Sequence, residues 1–186
     1  MQATESRPLP AHPSEDAWMR AAFHELHGRS LHGFALLLLL GDQEQAAHLS
    51  GRALSMGLER VDELRHPERA AAWLRARLLQ SALALRSADL QPSPAALAGL
   101  EAGPAVSAGL GALKTRERAA LIASTIEHLD PRDVAAVLGR DGSGLRHLVT
   151  KARRTYLAAY LGAGGEPTAA GPIAERLHDV AQRTIG

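Results

Sequence analysis

The residues with the most chemical promise lie close together near the end of the chain. Arg146, His147, Thr150, Lys151, Arg153 and Arg154 alternate with Leu145, Leu148, Val149 and Ala152 at helical spacing, and Ser143 precedes them. On one helix that pattern turns the aliphatic side chains inward and leaves guanidinium, ammonium and hydroxyl groups outside. Such groups neutralise phosphates and hydrogen-bond to base edges. An ordinary helical hairpin with a solvated charged face is the competing reading. The residues upstream favour DNA. Asp130 suits a helix cap, Pro131 a first turn, and Val134, Val137 and Leu138 form one apolar stripe. Gly139 supplies the left-handed residue of a tight turn, and Asp141 is placed to cap the next helix. A short helix, a glycine turn and a longer basic helix make a helix-turn-helix pattern.

Other chemistry finds little support. The chain has no cysteine, which excludes disulfides, thiolate catalysis and cysteine-based zinc or iron–sulfur sites. His24, His27 and His32, with Glu25 and His48, lack an accepted metal-ligand spacing and read as solvated or polar-packed side chains. No nucleophile elbow, P-loop or dinucleotide fingerprint occurs, and Gly162 to Gly165 lie in a hinge with no strand before them. The expectation is therefore a protein that is not an enzyme and carries no cofactor. Trp73 reads as a buried core anchor. The longest apolar run, Phe34 to Leu40, is far shorter than the roughly 20 residues of a membrane span. The N-terminal residues lack a signal peptide's pattern, so a soluble, cytoplasmic protein without a membrane partner is expected.

The elements that must position the basic helix follow from composition. Of 186 residues, 46% are hydrophobic but only 3% aromatic, so the core is built from Leu, Ala and Val and the fold class is all-α. Charge is unevenly spread. Residues 15–86 hold nine acidic and nine basic residues, whereas residues 110–160 hold five and nine, a balance of +4. Punctuation by proline and glycine predicts a loose N-terminal arm over 1–14 and a helical domain over 15–87. A flexible Pro/Gly-rich linker over 88–111 and a second helical domain over 112–160 follow, then a Gly-rich hinge and short C-terminal helix over 161–186. In the first domain, helices are expected over 15–27, 30–40, 43–64 and 67–86. The second of these is apolar nearly all round, so it is either central to the bundle or partly covered by a partner. In the second domain Thr115 is a suitable N-cap, which would put Arg118 at the third helical position.

These residues resemble a known family. Leu113, Arg116 and Arg118, then Leu129 to Gly139, then Asp141 to Arg153 are similar to region 4 of the extracytoplasmic-function sigma factors of bacterial RNA polymerase. Ala22-Phe23 through Phe34-Ala35-Leu36, Leu40-Gly41-Asp42 and Ala71-Ala72-Trp73-Leu74 resemble region 2 at matching spacing. The resemblance implies two small helical domains that bind promoter DNA and the RNA polymerase core, with an anti-sigma factor as a possible partner. It assigns upstream promoter contacts to Ser143, Arg146, His147, Thr150, Lys151, Arg153 and Arg154. It assigns the −10 loop and melting helix to Arg65, His66, Arg69, Arg75, Arg77 and Gln80, and the polymerase contact to the helix bearing Ala47, His48 and Arg52. At those last three positions the family carries acidic residues, and the melting helix here keeps positive charge without the family's aromatic ring. A degenerate sigma-like regulator that binds a protein partner without melting DNA is the alternative.

Overall fold

The leucine run that looked like a separate helix is instead the buried half of a long one. In a computed structural model, which describes residues 15–64, 66–86, 90–93, 95 and 103–166, helix α1 spans Glu15–Leu38 without a break. Gly28 and Ser30 cost the helix some propensity, but neither lacks an amide proton, so neither stops it. Phe34 to Leu39 are all buried, covered by the chain's own helices. The turn that follows places both Leu40 and Gly41 in the left-handed region, with the Gly41 amide donating to Leu36.

Helix α2, Gln43–Leu58, begins at Asp42, whose carboxylate accepts from the Gln45 amide at 3.0 Å. It ends six residues earlier than the expected 64, in a series of turns. Helix α3, Pro67–Ala84, starts with proline in its first turn as expected. Gly57 lets α2 lie close to its neighbours: a Cβ there would meet Leu74 at 2.8 Å and the Phe23 ring at 3.1 Å.

Of the stretch read as a linker, residues 88–89, 94 and 96–102 lie outside the described residues, and the described parts make two contacts. Asp42 also accepts from the Gln91 amide at 2.8 Å, and the Ser93 amide donates to Leu40, which pins residues 90–93 to the α1–α2 turn. Pro104–Gly111 form helix α4, packed along the last long helix, with Gly109 facing Tyr156 so closely that a Cβ would meet the ring at 2.6 Å. Helix α5, Thr115–Leu121, continues into a wide π-type turn over Ile122–Ile126. Helix α6 is Pro131–Leu138 and helix α7 is Gly142–Gly162. Among the described residues there are seven α-helices and no strand, so the chain is all-α. None of these helices is long and apolar enough to cross a membrane.

The two sequence modules are not held apart among the described residues. Helix α3 packs on α6, α1 touches α5 and the π turn, and one continuous apolar core runs from Phe23 to Tyr160.

Candidate nucleic-acid interface

Helices α6 and α7 make the turn that the sequence predicts. The Asp130 carboxylate accepts from the Arg132 amide at 2.8 Å, Pro131 opens α6, and Gly139 closes it at φ +60°. Val134, Val137 and Leu138 are buried. Asp141 stands at the N-cap of α7, but its side chain makes no capping bond. The α5 start differs by one residue from the expectation: Lys114, not Thr115, is the N-cap, and the Glu117 carboxylate accepts from the Lys114 amide at 3.2 Å.

Ala152, Tyr156 and Tyr160 are the buried side of α7, the two tyrosine rings stacked with centroids 6.0 Å apart. Ser143, Arg146, His147, Thr150, Lys151, Arg153 and Arg154 are all exposed. Leu145, Leu148 and Val149, expected to face inward, are half-buried. Four formal cations and no carboxylate occur along α7. Two of these cations already have partners. The Lys151 ammonium lies 2.8 Å from Glu117, a carboxylate that this hydrogen bond holds below its ordinary range against the opposing effect of burial. Arg153 donates to the Thr125 hydroxyl at 3.4 Å. Both contacts orient α7 on α5 and the π turn. Arg146, His147, Thr150 and Arg154 then follow one another at helical spacing along the outer face, with Arg140 exposed in the turn.

Sequence reasoning missed what fixes this unit to the first module. Arg118 is buried and donates to three backbone carbonyls: Leu110 at 2.9 Å, Leu113 at 2.8 Å, and Leu38 of α1. Burial lowers its pKa to about 10, which leaves it charged at neutral pH. Arg75 is the second tie. Its Nε donates to Glu127 at 2.6 Å, and Nη2 reaches the other carboxylate oxygen and the Ser30 hydroxyl. Its side chain is 5% exposed and that of Glu127 13%. Arg75 therefore stands apart from the other residues expected to hold melted DNA. A charge count along the chain cannot reveal a carboxylate partner 52 residues away.

The remaining first-module residues are scattered rather than gathered. His66 and Arg69 are exposed at the start of α3, Gln80 is exposed and Arg77 half-buried further along it; Arg65 lies outside the described residues. Trp73 is half-buried rather than fully enclosed, with the guanidiniums of Arg60 and Arg77 at 5.8 and 5.1 Å from its ring centroid. Arg69 and Glu68 face Asp130 and Arg132 across an open cleft of about 890 Å³ between the modules. Ala47, His48 and Arg52 are exposed on α2. Of the histidines, His27 packs edge-on against Phe23, and His32 lies 3.3 Å from the Ser50 hydroxyl. Burial, and then the nearby Arg75 charge, lower the His27 pKa. No three His, Asp or Glu side chains gather in a metal-binding cluster among the described residues.

Comparison with protein-family models, with curated proteins and with solved structures finds no match to this chain.

Proposed function

We propose that this chain is a sigma-factor-like transcription protein whose α6–α7 unit docks α7 against duplex DNA. The observation that carries the reading is the outer face of α7, which bears Arg146 and Arg154 with no carboxylate and stands behind a short helix and a left-handed glycine turn. In this reading Arg140 and Arg154 would meet phosphates at either end, and Ser143, Arg146, His147 and Thr150 would meet base edges between them. The order of modules and the region 2-like sequence of α1 to α3 support a place on bacterial RNA polymerase. There, promoter recognition would be divided between the two modules.

The second reading, a regulator that engages a protein without melting DNA, has its own support. Arg75 is committed to Glu127, and α2 presents Ala47, His48 and Arg52 where an acidic surface is expected. The two readings separate in one experiment: the full chain is mixed with bacterial core polymerase and a pool of randomised duplexes, and the recovered DNA is sequenced. The sigma-like reading expects a shared sequence recovered only with both proteins present, and altered by Arg146→Ala. Recovery of DNA by the chain alone, with no retention on core polymerase, would favour the second reading. No enrichment under either condition, with no retention on core polymerase, would contradict the sigma-like reading.

A further inference from the structure

A second charged surface lies on the first module, away from α7. Helices α2 and α3 flank an open groove of about 490 Å³. Leu49, Met56 and Leu85 give it an apolar floor, while His48 and Arg52 stand on one wall and Arg77 on the other. Among the described residues no carboxylate lines it. Glu63, in the turns after α2, pairs with Arg60. Arg77 is held in place, stacked over Trp73 and donating to Gln80 at 3.2 Å. Met56 is 37% exposed, which leaves part of the apolar floor open to solvent.

We propose that this groove docks an acidic amphipathic helix of a partner protein. A trough between two helices with an apolar floor suits the apolar face of a third helix, which would cover Met56 and Leu85. Carboxylates on that helix's flanks would then meet Arg52 and Arg77 from opposite sides, which sets both partner choice and orientation. A single-stranded nucleic acid fits less well. Its bases need an open aromatic face, and among the described residues no aromatic ring lines the groove. The groove does not depend on DNA reading by α7, so either can fail alone.

The test uses the full chain and a fluorescein-labelled 16-residue helical peptide with leucines on one face and glutamates on its flanks. Anisotropy is measured against the same peptide with glutamine for glutamate. The acidic peptide should bind at least about tenfold tighter at low salt, and the difference should shrink as salt rises. Arg52→Glu, an exposed change away from Trp73, should weaken it by about tenfold, and Arg52→Glu with Arg77→Glu by more. Arg146→Glu on α7 should leave it unchanged. Circular dichroism checks that the variants remain folded. Equal binding of the neutral peptide, insensitivity to Arg52→Glu, or equal loss with Arg146→Glu would overturn the proposal. So would a single-stranded oligonucleotide that binds tighter than the peptide and is lost with Arg52→Glu.

Discussion

At the scale of single residues, the Arg75–Glu127 pair decides most. Both groups are largely out of water, and each satisfies the other's charge at the seam between modules. Removing one partner of such a pair leaves an uncompensated buried charge. Glu127→Ala should therefore destabilise by roughly 3–5 kcal/mol, read from urea denaturation. The double change Arg75→Met with Glu127→Leu should recover most of that loss, because two well-packed apolar groups need no solvation. A cost under about 0.5 kcal/mol for Glu127→Ala would mean the pair is solvated. His27 gives the pH dependence at this seam. Its folded pKa lies below the ordinary 6.5, so the native state prefers the neutral ring. The stability linked to it is present above 6.5 and lost as pH falls below that value towards the lowered folded pKa. His27→Gln should flatten the loss of stability as pH falls below 6.5, and an unchanged profile would mean His27 is not its source.

At the scale of elements, the sequence was legible where a residue type has one local use. Asp130, Pro131 and Gly139 each act within their own turn, and all three stand as expected. It was less legible where tertiary contacts decide. Two helices were expected over 15–27 and 30–40, yet packing around Leu31 and Phe34 carries one helix through. Gly142 and Gly144 look alike in sequence, as two glycines that weaken α7, but their backbones differ. Gly142 has φ +54°, whereas Gly144 is helical with open space around its Cβ position. Gly144→Ala should stabilise by about 0.5–1 kcal/mol, and Gly142→Ala should destabilise by about 1–2 kcal/mol, in thermal melts. Equal effects of the two changes would contradict the turn geometry. Trp73 makes the same point for α3. Half-buried beneath two guanidiniums, it should cost less on change to alanine than fully buried Phe34, for which about 3–5 kcal/mol is expected. Urea midpoints of the two variants compare them directly.

At the scale of the whole molecule, the all-α class and the basic second module follow from composition and charge, while their joining does not. Arg118 belongs to the second module but donates to Leu38 of the first, and Arg75 does the reverse with Glu127. Neither contact has a local sequence signature. The consequence for function is that α7 is held on a scaffold drawn from both modules, so its DNA affinity should be measured on the full chain. Fluorescence anisotropy of the full chain with a duplex, titrated over salt, tests this most directly. Affinity should fall steeply with salt. Arg154→Ala should weaken binding across sequences and reduce the log–log slope by about one, whereas Arg146→Ala should also relax base preference. No binding at low salt, or binding that neither change affects, would contradict DNA reading by α7.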